Sequence, residues 1–265
     1  MREITIDKEI GIPNEDAVIA KDSLIAVSDG AGGGGVFADK WSKYLVEHLP
    51  DKPIKTFSAF GKWIDGIWEP FYNDCEEKAK KEGGMLLNKF YDEGSFATLV
   101  AVWKTGEWIS YGDSVAFCYH RNTGVLDHSF TKLSDFNNPP YLVNCKDPLN
   151  RKGFRHGKFE IDDDCIVFAA SDALAHYILL MYEVAHKDMY AEELRGAVNA
   201  KTKNSNLVKT AIRLRRFDFS KKVIQKLMNC RYRILLLKHL DGLYRRGFLA
   251  LDDYSLAILC AYGGE

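Results

Sequence analysis

Aspartates recur in this sequence where short apolar runs meet turns. Asp29 ends DSLIAVSD, Asp113 ends EWISYGD, Asp172 ends IVFAASD, Asp252-Asp253 opens YSLAIL, and Asn14-Glu15-Asp16 leads into the first apolar run. Carboxylates and the backbone carbonyls of such turns are hard oxygen ligands suited to Mg²⁺ or Mn²⁺. Taken singly, each acid is an ordinary turn or cap residue. Gathered at one end of a layered sheet, they would repel one another severely unless divalent cations neutralised them. The other metal-ligating types show no comparable pattern. Cys75, Cys118, Cys145, Cys165, Cys230 and Cys260 are far apart and form no CxxC pair, so they read as buried or free thiols rather than a zinc knuckle or a disulfide framework. None of the seven histidines has a metal-ligand spacing to another.

The run Gly30-Ala31-Gly32-Gly33-Gly34-Gly35 follows Asp29 and literally satisfies GxGxxG, the dinucleotide fingerprint. Ser28-Asp29 argues against that use, because it puts a carboxylate where two phosphate charges would have to approach a helix N-terminus. The residues after Leu49 also form a proline-containing turn and a helix-like segment instead of a second parallel strand ending in an acid. No GK[ST] closes the run, which excludes a P-loop. In the competing reading the glycines serve close approach of backbone to Asp29.

These residues must be positioned by short strands. DSLIAVSDG, SFATLVAVW, EWISYGD, VAFCYH, DDCIVFAASD and DYSLAILCAY are rich in Val, Ile, Phe and Tyr and punctuated by Gly and Asp. Helical spacing occupies 36–49, with Phe37, Trp41, Tyr44, Leu45 and Leu49 on one stripe, then 57–81, and several segments within 185–244. Strands in hairpin-like succession with helices bunched between them favour α+β layers over a doubly wound parallel sheet. At 265 residues with 46% apolar content, and with no linker or internal repeat, one domain is the expectation. No run approaches the roughly 18 apolar residues of a membrane span, and the N-terminus lacks a signal-peptide core, so a cytoplasmic protein is expected.

Read in chain order, Asn14-Glu15-Asp16-Ala17, Ser28-Asp29-Gly30 with its glycines, Gly94-Ser95, Gly112-Asp113-Ser114, Ala170-Ser171-Asp172 and Asp252-Asp253-Tyr254-Ser255 resemble the ordered signature of the protein phosphatase 2C family. The resemblance runs from about residue 11 to residue 260, and it implies a four-layer α-β-β-α sandwich, two antiparallel-rich sheets flanked by helices, filling 1–265. It also implies a centre of two Mg²⁺ or Mn²⁺ ions. Asp29 would bridge them, the Gly30 carbonyl would bind one, and Asp172 and Asp252 would complete the inner shell. Glu15 and Asp16 would act mostly through metal-bound water, and Asp113 with Asp172 would match the weaker third site of many members. The implied activity is hydrolysis of phosphoserine and phosphothreonine esters by water activated at the metals, with no covalent intermediate.

The sequence departs from the family at the phosphate. Gly11 stands where the family carries a phosphate-binding arginine, whose guanidinium grips phosphate bidentately. Arg2 and Lys8 are near in sequence, and the basic segment offers more distant substitutes. Gly11 motivates the rival expectation of a catalytically weak or inactive phosphatase-like binding or regulatory module. Ala31 replaces a histidine that is often missing from bacterial members too. Ala173 replaces a glycine, which suggests an altered turn, and Val115 replaces an arginine with a structural role. Asp127-His128-Ser129 resembles a structural element of bacterial members.

Formal charge is uneven: residues 195–246 hold 15 Lys/Arg and two acids, Asp218 and Asp241, leaving 21 basic against 35 acidic residues elsewhere. The basic helical segment, about 185–247, reads first as amphipathic helices with solvated charges. Its functional reading is docking of an acidic phosphoprotein on 195–246. No nucleic-acid motif occurs, and the acidic remainder opposes such binding.

Overall fold

The apolar runs become the inner strands of two stacked antiparallel sheets. The computed structural model describes residues 1–9, 11–33 and 35–259; Gly34 and Cys260 lie outside the described residues. In chain order the elements are β1 (Arg2–Ile6), β2 (Asp16–Ala20), β3 (Leu24–Asp29), α1 (Ala38–Glu47), α2 (Phe57–Glu82), α3 (Gly84–Glu93), β4 (Phe96–Ala97), β5 (Leu99–Trp103), β6 (Glu107–Tyr111), β7 (Val115–His120) and β8 (Leu126–His128). There follow β9 (Val143–Asn144), β10 (Phe154–Lys158), β11 (Cys165–Ala170), α4 (Asp172–Ala185), α5 (Ala191–Asn199), α6 (Ser205–Ala211), α7 (Gln225–Asn229), α8 (Arg233–Arg245) and β12 (Tyr254–Leu259).

One five-stranded sheet has the order β1-β12-β11-β7-β8 and the other β10-β6-β5-β3-β2, while β4 and β9 form a small ribbon. Their inner faces meet through Ile25, Val27, Val100, Val102, Ala116, Val167, Ala169 and Ala257. The outer face of the second sheet, including Leu24, Ala26, Leu99, Ala101 and Trp103, packs under α1, α2 and α3. The outer face of the first, including Val115, Phe117, Phe168 and Ala170, packs under α4 to α8. Burial of both faces explains why these strands read as continuous apolar runs rather than as alternation. The result is the expected four-layer α-β-β-α sandwich.

The helix over 36–49 shortens to α1, with Trp41 and Leu45 wholly buried. The one over 57–81 is α2, started by Thr56, whose hydroxyl accepts the Ala59 N–H at 3.1 Å. In α4, twelve successive residues from Ala173 to Val184 are buried, so it has no polar face for periodicity to reveal. Among the described residues, no helix is long and apolar enough to cross a membrane.

Candidate metal centre

Antiparallel pairing brings the strand-end acids to one end of the sandwich. β3 ends there on Asp29, and β2 begins there on Asp16, its partner in register. The β6–β7 turn places Asp113 at the same end. β11 delivers Asp172 as the first residue of α4, and Asp252 precedes β12. Glu15, Asp29, Gly30, Asp113, Asp172 and Asp252 line one cavity of about 390 Å³, together with Asp253, His176 and Lys203. Asp16 is not on its wall; it is buried behind it, with Oδ2 lacking any hydrogen-bond partner.

Short polar links fix these positions. Thr98 Oγ1 accepts the Asp29 N–H at 3.1 Å and meets Ser114 Oγ at 2.7 Å, tying β3 to the Gly112-Asp113-Ser114 turn. That turn needs its glycine: Gly112 has φ +100°, and a Cβ there would lie 2.7 Å from Thr98. The Glu15 carbonyl accepts Gly30 N–H at 3.0 Å and Ser42 Oγ–H at 2.6 Å. A Cβ on Gly30 would approach the Glu15 and Ala38 carbonyl oxygens to 2.7 Å, and one on Gly32 would strike Glu15 Oε1 at 1.8 Å. Gly30 and Gly32 therefore serve close approach around the acids. Ala173 is the second residue of α4 and is not among the residues of positive φ.

Sequence reasoning assigned no role to Asp253 and did not single out Arg155 or Lys203. Asp253 accepts the N–H groups of Lys8 at 2.7 Å and Glu15 at 3.0 Å, clasping the segment that carries Glu15 to β12. Arg155, on β10, donates to Ser110 Oγ at 3.1 Å and to the Gly112 carbonyl, supplying near Asp113 a guanidinium that Val115 does not. Lys203 lies between α5 and α6, within the basic segment. Arg2 is turned away, donating to the Leu227 and Met228 carbonyls of α7. Lys8 is held above its usual value although partial burial lowers it, because Asp253, Asp252, Glu15 and Asp29 surround it with negative charge.

Burial dominates the electrostatics of these acids, with Arg155, Lys203 and Lys8 as the nearby positive charges. Asp29 and Asp172 keep some contact with solvent through the cavity but are otherwise enclosed by protein. Burial raises both well above the usual carboxylate range; Asp16, Asp172 and Asp113 add to the effect on Asp29, and Asp113 and Asp252 to that on Asp172. Burial pushes Asp16 up to about 7 against the Ser171 and Ser255 hydroxyls, and Asp113 up to about 6. Glu15 and Asp252 are raised by burial as well. His176, edge-on to Phe136, is pushed down to about 4 by burial and by Lys203, so it is neutral at neutral pH.

The donor set fits a hard divalent cation. Glu15, Asp29, Asp113, Asp172 and Asp252 on the cavity wall offer carboxylate oxygens beside the His176 imidazole, the unpartnered Asp16 Oδ2 lies buried behind them, and glycine trims the backbone to let them approach. The acids stand apart around the cavity. Among the described residues, the trio whose ligand atoms all lie within 4.8 Å of one another is Cys118, His120 and Cys165, elsewhere in the fold.

No protein-family model and no curated protein matches the sequence. Solved structures do match. A bacterial serine phosphatase carrying a point substitution aligns over 100% of this chain and 98% of its own, with 12% identity and a TM-score of 0.50. The catalytic domain of the serine threonine protein phosphatase PstP, in complex with two manganese ions, aligns over 97% and 95% with 11% identity and a TM-score of 0.49. Serine/threonine phosphatase Stp1 from Staphylococcus aureus aligns over 99% and 94% with 14% identity and a TM-score of 0.49. With its paired antiparallel sheets between helical layers, this chain has the fold of the PPM-type serine/threonine phosphatases.

Proposed function

We propose that this chain is a Mg²⁺- or Mn²⁺-dependent hydrolase of phosphoserine and phosphothreonine monoesters. The observation that carries the reading is the cavity onto which Glu15, Asp29, Gly30, Asp113, Asp172 and Asp252 converge from separate turns, with Lys203 on the same wall. Asp29, the Gly30 carbonyl, Asp172 and Asp252 would hold two ions. Glu15 would orient water around them, Asp16 would act from behind the wall beside Asp29, its partner in register, and Asp113 with Asp172 would hold a third, weaker one. Bound there, the ions supply charge neutralisation and an acidified water for attack on phosphorus.

The chain's own groups supply the remainder. Thr98 and the Gly30 turn hold the Asp29 carboxylate in place, and Asp253 holds Glu15 against β12. The Lys203 ammonium takes the phosphate-gripping role left open by Gly11, which is exposed and has nothing within 4 Å of where a side chain would begin. Helices α5 to α8 offer basic surface on which an acidic phosphoprotein can dock. The empty place at Gly11 favours one rival, a phosphatase-like module that binds without turnover.

The test is hydrolysis of a phosphopeptide and an aryl phosphate by purified protein with Mn²⁺, with chelator, and by Asp172→Ala. We expect Mn²⁺-dependent turnover that chelator and the substitution abolish. Turnover that is absent, or indifferent to both, would sink the proposal; tight Mn²⁺ binding without turnover would favour the rival.

A further inference from the structure

The strands that carry Asp113 and Asp172 at one end bring together a different set of ligands at the other. β7 runs from Val115 to His120, and β11 runs antiparallel to it, with Cys165 opposite His120 and Val167 opposite Cys118. Side chains two apart on a strand share a face, so Cys118, His120, Cys165 and Val167 all point between the sheets. The apolar residues packed with them in that layer include Ile25, Val27, Val100, Val102, Ala116 and Ala169. At its end, one ligand atom from each of Cys118, His120 and Cys165 lies within 4.8 Å of the other two. Both cysteines are free and buried, while His120 is half-buried and reaches the surface.

The contacts within this group resemble a ligand shell. His120 Nε2 lies 3.0 Å from Asp127 Oδ2, on the neighbouring strand β8. Held there, the ring leaves Nδ1 available, and Nδ1 lies 3.3 Å from Cys165 Sγ. Cys118 Sγ is 3.9 Å from His120 Nε2, the nitrogen that also meets Asp127, and Asp162 Oδ1 is 3.1 Å from Cys165 Sγ. A tetrahedral site with Zn–S of about 2.3 Å and Zn–N of about 2.0 Å separates neighbouring ligand atoms by roughly 3.5 Å. A carboxylate on the far nitrogen is the usual partner of a metal-ligating histidine, fixing its tautomer and orientation. A buried cysteine alone would read as a small apolar residue. Two of them converging on a carboxylate-oriented imidazole, beside a second carboxylate, do not.

We propose that Cys118, His120 and Cys165 form a thiolate site for a zinc-class divalent cation at the end of the sandwich opposite the acidic cavity. Thiolate and imidazole select borderline-soft cations, whereas the carboxylate-rich cavity selects hard ones, so the two sites take different metals. Binding converts both thiols to thiolates and releases two protons to solvent. The bound ion would staple β7 to β11. The proposal is independent of whether the acidic cavity is catalytic.

Titration of the reduced, metal-stripped full chain with Co²⁺ in excess Mg²⁺ tests it. We expect a thiolate-to-cobalt charge-transfer band that saturates at one equivalent and is bleached by Zn²⁺. Cys118→Ser and Cys165→Ser should each abolish the band, and Asp172→Ala should keep it at unchanged affinity. Asp127→Ala alters an exposed side chain and should weaken Co²⁺ binding about 10- to 100-fold, so it decides the matter if the cysteine variants do not fold. No band in the wild type, a band surviving either cysteine substitution, unchanged affinity in Asp127→Ala, or a Cys118–Cys165 disulfide in the isolated protein would overturn the proposal.

Discussion

Replacing Lys203 by Gln tests the proposed phosphate site most directly. Among the described residues it is the single Lys or Arg on the wall of the acidic cavity, and its charge is felt by Asp113 and Asp252. A hydrogen bond to a charged group contributes about 1.5–3 kcal/mol. The Lys203 side chain is exposed, so solvent screening places it in the lower part of that range. At about 1.4 kcal/mol per decade, 1.5–2 kcal/mol corresponds to a loss in kcat/KM of roughly ten- to thirtyfold. The non-bridging phosphate oxygens carry charge both before and during attack, so the loss should fall mainly on KM, with kcat little changed. Initial rates on an aryl phosphate with saturating Mn²⁺, at low and high ionic strength, measure both. The wild-type KM should rise with salt while that of Lys203→Gln stays flatter, and Lys203→Arg should retain most of the affinity because it keeps the charge. A KM for Lys203→Gln equal to wild type, with the same salt dependence, would refute the assignment. The phosphate would then be held elsewhere, and Lys8, another cation close to these acids, would be the next to replace.

Gly32→Ala should lower Mn²⁺ affinity, read by titration of activity against Mn²⁺, because its Cβ would displace the Glu15 carboxyl; Gly33→Ala, with open space around it, should behave as wild type. Equal behaviour of the two would remove the case for close approach at Gly32. Buried Glu183, with Oε2 unpartnered, is pushed from its usual 4.5 up to about 8 by burial and by Glu193. The folded state keeps a proton that the unfolded state releases in this window, so stability falls as pH rises from 4.5 to 8, by roughly 3 kcal/mol at pH 7. Glu183→Gln should recover most of that difference in denaturant melts at pH 7 and little at pH 4.5, and an identical pH slope in both proteins would refute it.

What could be read in the sequence, and what could not, follows from how each feature is encoded. The inner strands were legible because burial on both faces gives unbroken apolar runs, and the acids were legible because each sits where such a run stops. The edge strand β10, with the sequence FRHGK, carries no comparable signal, and with it Arg155 was missed. Helix α4 was hidden by complete burial, since twelve consecutive buried residues leave no amphipathic stripe. Lys203 was one of fifteen cations in the basic segment, and the packing of α6 against α4 and of α5 against α6 selects it for the cavity. The thiol cluster shows the same limit more sharply. Its local part is the spacing Cys-x-His, which on a strand puts both side chains on one face, but the third ligand stands 45 residues on. It becomes a neighbour through the pairing of Cys165 with His120, and a slip of one residue in that register would turn Cys165 to the opposite face. Strand register, which no local spacing specifies, therefore decides whether this chain has one candidate metal site or two.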